Sequence, residues 1–412
     1  MMAMTGFDSY GYALAADPAA VPHFLAGLAD ALSFDASGIP ALEASVAADP
    51  GFPLAHAFLG RQQFIHGQRA SGRAAMKRAL TLNAASTKRE ASTVRLLDLA
   101  MEDREAALVG ALEHLENWPC DVIVFSLLIG PFGLFSSSGR RDWREVSLAL
   151  MEHYRSALPA DDWWFVSNLS FSQAEAGQSA QALETGQYAL ALKETGLAVH
   201  SISHAQLELG MKDEGLRFAH NWLAGSGGNS DMRHHINWHA AVFEFDLKTG
   251  DAGHLHRHFA DRMSAAVCDP MPLSTFSDNA SFLWRMALRG IVPPPETVAE
   301  TLAYMDRHFA FSGFAFADLH RIAITALDGG VDRKDALARD LRRQCEQEGT
   351  ETGQLLVTLC DAFFAFAEGR YRAATALLAP ALDGAVLLGG SNPQRRLVAD
   401  TFEAANARLS NG

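Results

Sequence analysis

The chain is patterned as a series of apolar helical segments, each of which ends at a glycine before a short polar turn and another helix. Five stretches follow this plan, at 54–83, 168–192, 204–225, 241–263 and 359–382. A glycine at such a point adopts a left-handed conformation that ends the helix. The glycines concerned are Gly67, Gly177, Gly210, Gly250 and Gly369. The pattern therefore predicts an all-α chain built from helical hairpins.

The spacing of these glycines indicates a repeat. Gly177 and Gly210 are 33 positions apart, and Gly210 and Gly250 are 40 apart; tetratricopeptide repeats have a period of about 34 residues. One helical hairpin cannot bury its apolar face alone, so neighbouring hairpins stack into a right-handed superhelix with a concave inner surface. No linker rich in Gly, Ser or Pro divides the chain. We therefore predict a single irregular tetratricopeptide-like solenoid over residues 1–412.

Composition and charge argue against several classes of protein. The 412 residues are 49% hydrophobic and 20% charged, and their formal net charge of −14 disfavours binding to nucleic acid or to an anionic membrane surface. No apolar run reaches the roughly 18–20 residues of a membrane-spanning helix, and the first twenty residues lack the regions of a secretory signal. The four cysteines are far apart and form no CxxC pair. We therefore expect a cytoplasmic protein with reduced cysteines.

Two short stretches place histidines four positions apart. HSISH contains His200 and His204, and HHINWH contains His235 and His239. Helical neighbours at i and i+4 lie on one face, with their Cβ atoms roughly 5–6 Å apart. Two imidazoles at this spacing can bind the same metal ion, so each stretch is a candidate pair of metal ligands.

The two pairs are predicted to lie on the first helices of successive hairpins, which line the concave face of a tetratricopeptide stack. Neighbouring helices are roughly 8–10 Å apart, so four imidazoles could converge on zinc, iron, copper or nickel. His204 lies six residues before Gly210, whereas His239 lies eleven before Gly250. The second helix must be longer, or the helices staggered by about one turn. The alternative is that these histidines are structural, each bonded to a backbone carbonyl or a carboxylate.

Five further histidines are predicted to be surface residues: His220, His234, His254, His256 and His258. Three of them fall in HLHRHF, which resembles a metal-binding cluster. Their placement at i, i+2 and i+4 puts His256 on a different face of a helix from the other two. This stretch is therefore a weak candidate for a metal site.

Several ordered motifs resemble those of the tetratricopeptide repeat protein 38 family and its bacterial relatives. The family's HxxxH segment is matched by VHSISHAQLELG, and its HNxWHxAL helix by HHINWHAAVFEFDLKTG. Three later motifs are matched by SDNASFLWRMALRG, FADLHRIAIT and LLGGSNPQRRLVAD. Besides the paired histidines, the matching positions are Trp238, Asp278, Ser281, Trp284, Arg285, Phe316, Asp318, His320, Gly389, Gly390, Ser391, Gln394 and Arg395. The resemblance runs from about residue 50 to the end of the chain.

The chain departs from the family's pattern at two points. The family carries an acidic residue three positions after the second histidine of HxxxH, where this chain has Leu207, followed by Glu208. After QR the family tends to carry an aspartate, where this chain has Arg396. These differences indicate altered chemistry at one wall of the implied site.

Together, the histidine spacing and the resemblance imply a metal-dependent site. It is predicted to be built mainly from 196–250, with contributions from 276–286, 316–320 and 389–395. The predicted metal ligands are His200, His204, His235 and His239, with His320 as a substitute or fifth ligand. A divalent transition metal is implied, with zinc as the first choice and iron as the second.

The resemblance also implies roles around the metal. Asp278 or Asp318 would orient an imidazole or act as a general base, and Arg285 would hold a substrate carboxylate or balance negative charge. The alternative for Asp278 and Arg285 is a buried ion pair that ties two helices together. The side chains predicted to line the substrate are Trp238, Trp284 and Trp164.

Different classes of function fit these residues. The first is a metal-dependent enzyme, most simply a hydrolase of an amide or ester in a small molecule. A non-haem iron oxygenase would use a similar shell of histidines. The other class is a protein-interaction scaffold that binds a peptide in its concave groove and whose histidines are structural. The sequence also leaves open whether the protein is a homodimer.

Overall fold

The computed structural model describes residues 6–328 and 330–410. Two strands, β1 (Gly6–Phe7) and β2 (Ala13–Leu14), form a short antiparallel pair. The helices are α1 (Val21–Ser33), α2 (Gly38–Ala48), α3 (Pro53–Ile65), α4 (Arg69–Leu82), α5 (Lys88–Glu102), α6 (Arg104–Asn117), α7 (Val122–Leu128), α8 (Trp143–Tyr154), α9 (Trp163–Glu175), α10 (Ser179–Leu192), α11 (Gly196–Glu208), α12 (Lys212–Ala224), α13 (Arg233–Leu247), α14 (Ala252–His258), α15 (Pro272–Leu288), α16 (Pro295–His308), α17 (Ala315–Asp328), α18 (Val331–Glu348), α19 (Glu351–Ala367), α20 (Tyr371–Leu378) and α21 (Asn392–Ser410). The predicted all-α class is confirmed. In the described part of the chain, every helix falls short of the length and apolarity that a membrane crossing requires.

Most of the predicted helix ends are confirmed by the backbone. The glycines at 67, 177, 210 and 369 each lie two residues past a helix and have φ between 69° and 83°. A residue with a Cβ is strained in this left-handed region, so glycine is suited to stopping the helix. The fifth stop differs, because α13 already ends at Leu247 and Lys248 itself takes φ 56°. Gly250, also left-handed, lies three residues beyond that helix end.

The chain divides into two compact units, each with its own apolar core. The first comprises Met1–Ser138, Trp143–Leu209 and Trp222–Arg233. The second comprises Gly139–Asp142, Gly210–Asn221 and His234–Gly412.

In the first unit, α9 and α10 form a hairpin, and α11 packs against both of them. This is the packing of a tetratricopeptide-like repeat, in which the first helix of one hairpin contacts both helices of the hairpin before it. Gly186 of α10 makes the close approach possible. A Cβ at this position would lie 2.8 Å from Ile202 Cγ1 of α11 and 2.8 Å from Ser170 Oγ of α9. The small residue therefore lets three helices meet, as the repeat requires.

Asp121 is the centre of a buried polar network in the first unit. Its Oδ2 accepts hydrogen bonds from Arg89 Nη1 at 2.9 Å, Thr93 Oγ1 at 2.8 Å and His114 Nε2 at 3.2 Å. Its other carboxylate oxygen accepts from backbone N–H groups at the start of α7. Burial raises the pKa of Asp121, but the hydrogen bond from His114 and the charge of Arg89 outweigh it and lower the pKa to about 2.

This lowered pKa predicts a loss of stability in acid. The carboxylate of Asp121 stabilises the fold fully above about pH 4, and this contribution disappears as the pH falls to about 2, since the unfolded chain binds the proton more tightly. The loss amounts to about 2 kcal/mol. Asp121→Asn is expected to be less stable than wild type at pH 7 and to approach it below pH 4. Urea unfolding measured between pH 2 and 7 checks this; parallel curves for the two proteins would contradict it.

The core of the second unit is organised around Trp284 of α15, which is fully buried. Its ring stacks on Phe363 of α19, with centroids 4.9 Å apart and planes at 17°. Its Nε1 donates a hydrogen bond to Thr401 Oγ1 of α21 at 2.9 Å. The same apolar cluster contains Leu319 of α17 and Leu359 of α19. Trp284 therefore links α15 with the helices that follow it.

Three of the separate sequence motifs pack together in this unit. Gly390, with φ 73°, lies so close to Phe316 that a Cβ would overlap the phenyl ring. Arg285 of α15 donates from Nη2 to the carbonyl of Pro393 at 2.9 Å and forms an ion pair with Asp400 at 3.1 Å. The side chain of Arg285 therefore fastens α15 to the start of α21.

Candidate metal centre

Local sequence sets the position of the first histidine pair on α11. Thr195 caps this helix, since its side chain accepts a hydrogen bond from the N–H of Ala198, and Gly210 ends the turn beyond it. Between these points, His200 and His204 are both buried, at 5% and 0% exposure. The imidazoles are in direct contact, with their Nε2 atoms 2.8 Å apart.

The four paired histidines form one group. His200, His204, His235 and His239 each offer one ring nitrogen, and these nitrogens all lie within 4.8 Å of one another. All four side chains are buried. A buried set of imidazoles without an acidic ligand matches the donor chemistry of zinc and other borderline transition metals. The group could therefore hold a metal ion.

Carboxylates support two of these imidazoles from behind. His235 Nδ1 donates to Asp278 Oδ2 at 2.8 Å, and His204 Nδ1 lies 3.5 Å from Glu175 Oε1. Both acids are almost fully buried. A carboxylate on the far nitrogen of a ligating histidine fixes its tautomer and makes it a better ligand. Burial raises the pKa of Asp278, but its histidine neighbours, His235 first, outweigh this and lower it to about 2.

Trp238 forms an apolar wall beside the second pair. Its ring stacks on His235, with centroids 5.2 Å apart at 12°, and meets His239 edge-on at 5.1 Å. Its Nε1 donates to Ser281 Oγ at 3.3 Å. The guanidinium group of Arg285 also lies over the Trp238 ring, with its central carbon 5.7 Å from the ring centre.

His320 does not belong to the four-histidine group. Its Nδ1 donates to the carbonyl of Phe316 at 2.8 Å, and Nε2 is buried with no hydrogen-bond partner among residues 6–328 and 330–410. Burial lowers its pKa to about 4, although the charge of Asp278 acts in the opposite direction. Asp318 forms an ion pair with Arg321 at 2.8 Å. Burial raises the pKa of Asp318 above its ordinary value.

The two other tryptophans lie in apolar surroundings. Trp284 is in the core of the second unit, as described above. Trp164 of α9 is 3% exposed and meets Phe125 edge-on, with centroids 6.0 Å apart.

The prediction of surface positions was wrong for two histidines. His234 is fully buried, and its Nε2 lies 2.9 Å from the carbonyl of Met263. His258 is 4% exposed, and burial lowers its pKa to about 4. An amphipathic pattern predicts burial of the apolar face of a helix. His234 and His258 are polar, but they are buried because other parts of the chain pack against the helix on that side as well.

Two residues that contact the first histidine pair were not predicted from the sequence. Phe171 and Glu175 are one turn apart on α9, and both face α11. The Phe171 ring stacks on His200 at 5.4 Å and meets His204 edge-on at 5.0 Å. No spacing along α11 indicates Glu175, because it lies on another helix and meets His204 only through the packing of the two helices.

The helices and the histidine group define a class of protein: an all-α, tetratricopeptide-like helical protein with a buried histidine cluster that could hold a metal ion. No family model matches the chain. Among solved structures, the chain is similar to the TPR domain of P58(IPK), with 12% identity over 95% of this chain and 89% of that one, at a TM-score of 0.23. Yeast Tom70 has 11% identity over 95% and 96%, at a TM-score of 0.28. At these scores the assignment of the fold rests on the packing of the hairpins themselves.

Proposed function

We propose that this protein binds a divalent transition metal, zinc in the first place, through His200, His204, His235 and His239, and that it uses the metal to hydrolyse an amide or ester in a small molecule. The observation that carries the proposal is the convergence of four buried ring nitrogens within 4.8 Å.

The dimensions of the group support metal binding. Zinc–nitrogen bonds of 2.0–2.1 Å in a tetrahedral site place the nitrogens about 3.3 Å apart. The present spread, with a contact of 2.8 Å and an upper limit of 4.8 Å, brackets this value. The spread of the four nitrogens is therefore compatible with a tetrahedral zinc site.

The surroundings of the four-histidine group support catalysis as well as metal binding. When bound, a zinc ion would supply Lewis acidity for hydrolysis, for which water or substrate would have to enter as a fifth ligand or displace one of the four imidazoles. His200 and His235 keep 5% and 6% exposure, whereas His204 and His239 keep none, and in this proposal the first two lie nearer the entrance for a small molecule. In this proposal Asp278 positions His235, and Trp238 excludes water from one wall.

The family and the cellular location of the protein are part of the same proposal. The ordered motifs support a place near the tetratricopeptide repeat protein 38 family. The four cysteines, all of which are free thiols, support a reducing, cytoplasmic location.

Metal analysis of the full chain, purified without a polyhistidine tag, tests the metal site. The double variant His204→Ala/His239→Ala is expected to contain about one equivalent of zinc less than wild type after both are dialysed against the same buffered zinc. Elemental analysis by mass spectrometry gives the stoichiometry, and circular dichroism shows whether the helices persist.

The matched control is His23→Ala/His153→Ala, which removes two exposed histidines. It is expected to keep the wild-type metal content. The metal assignment fails if the two double variants and wild type hold equal amounts of zinc.

Hydrolysis is tested separately, on a panel of chromogenic esters and anilides. Turnover is expected with the zinc-loaded protein, to disappear with chelator, to return with added zinc, and to be absent from His204→Ala/His239→Ala. A loaded protein that turns over no member of the panel overturns the hydrolase assignment.

A further inference from the structure

A second cluster of potential ligands lies in the second unit, at the junction of α13 and α14. Glu244, His254 and His258 each offer one ligand atom, and these atoms all lie within 4.8 Å of one another. Glu244 follows His239 by five residues, which is about 140° around an α-helix. Its carboxylate therefore leaves α13 on a different face from the four-histidine group.

Hydrogen bonding sets the tautomer of His258. Its Nε2 lies 3.1 Å from the carbonyl oxygen of Asn237, and because a carbonyl can only accept, this nitrogen carries the proton. In the neutral ring Nδ1 then presents a lone pair. That lone pair faces Glu244 Oε2 at 3.8 Å. Two acceptors therefore face each other inside the protein.

Glu244 lacks a compensating partner on this side. Its side chain is 4% exposed, and within the described residues Oε2 has no hydrogen-bond partner. Leaving a buried charged oxygen unsatisfied costs more than leaving a neutral one, typically several kcal/mol. A cation between Oε2 and His258 Nδ1 would satisfy both atoms.

His254 completes the arrangement from the outer side. Its Nε2 lies 2.9 Å from Glu244 Oε1, and it stands one turn before His258, the spacing at which two imidazoles share an ion. The His254 side chain is 45% exposed. Water can therefore reach the cluster from this side, as it does in zinc sites that keep an open position.

We propose that Glu244, His254 and His258 form a second metal site, which binds zinc through one carboxylate and two imidazoles and leaves one position to water. Two histidines and one glutamate are an established ligand set for zinc. This inference does not depend on the four-histidine group.

Two neighbouring side chains bear on the second site. His220 of α12 interacts electrostatically with Glu244 and His254, and its buried Nε2 has no hydrogen-bond partner in the described ranges. Arg262 opposes a cation, since its charge lowers the pKa of His258. It is exposed, so solvent and salt screen its charge.

Zinc titration of the full, tag-free chain tests the second site in the His204→Ala/His239→Ala background. Competition with a chromophoric chelator is expected to give one remaining equivalent. Adding His254→Ala or Glu244→Gln is expected to weaken that binding at least 10-fold. The first substitution changes a half-exposed side chain and the second keeps the shape of the buried one, so both should preserve the fold.

His256→Ala is the matched control, because it removes a histidine from the same helix on another face. It is expected to leave the affinity unchanged. The proposal is overturned if the background variant binds no zinc, or if His254→Ala and His256→Ala have equal effects. Loss of the four-histidine site alone would leave this remaining equivalent in place, so failures of the two proposals are distinguishable.

Discussion

Replacing Asp278 by Asn is expected to weaken zinc binding at the four-histidine group by about 10- to 100-fold. The carboxylate accepts a hydrogen bond from His235 Nδ1 at 2.8 Å and lies 3.5 Å from His234 Nδ1. Its negative charge keeps the proton on Nδ1, which leaves Nε2 for the metal. An amide has the same shape but lacks this charge. Competition with a chelator of known affinity measures the change.

Two further variants give this experiment its controls. Glu175→Gln is expected to have a smaller effect in the same direction, since its carboxylate lies 3.5 Å from His204 rather than 2.8 Å. Asp269→Asn removes a carboxylate that accepts a hydrogen bond from Tyr304 and is expected to have no effect. If Asp278→Asn binds zinc as tightly as Asp269→Asn does, Asp278 does not position a ligand.

Replacing Trp284 by Ala is expected to lower the free energy of unfolding by about 3–5 kcal/mol. The indole is fully buried, stacks on Phe363 and donates a hydrogen bond to Thr401. Its removal leaves a cavity and takes one donor from the Thr401 hydroxyl, which still donates to the carbonyl of Leu397. Trp284→Phe keeps the stacking and is expected to cost less. The shift in the midpoint of urea unfolding measures both.

The control is Phe311→Ala, which truncates an aromatic ring that is 84% exposed. It is expected to change stability by less than about 0.5 kcal/mol. This comparison separates the packing of Trp284 from the substrate contact that the motif resemblance implies. A Trp284→Ala protein of wild-type stability with impaired substrate binding would favour the substrate contact.

Most of the errors in the sequence-based predictions concern polar residues that are buried by packing against distant parts of the chain. His234 and His258 were predicted to be surface residues, yet each is buried and makes a hydrogen bond to a backbone carbonyl. Burial of a polar side chain depends on whether an acceptor is supplied by another element. The acceptors are the backbone carbonyls of Met263 and Asn237. Every residue has such a carbonyl, so the sequence does not indicate which ones will accept a hydrogen bond from a histidine.

The same reason explains the missed carboxylates. Glu175 is 29 positions from His204, and Glu244 is 10 and 14 positions from His254 and His258. An acidic residue at those distances is common in any helical protein. Its pairing with an imidazole depends on how two helices pack, which the spacing along one helix does not contain.

By itself, the sequence determined the features that depend on neighbouring residues. The helical hairpins follow from the apolar periodicity and from glycines such as Gly177 and Gly210, and the pairing of His200 with His204 follows from a spacing of four on one helix. The tertiary structure alone decided which carboxylate stands behind each imidazole, that Trp284 belongs to a core, and that Glu244 meets two histidines. The physical reason is that helix formation is local, whereas burial, pKa and ligand geometry depend on side chains brought together from distant parts of the chain.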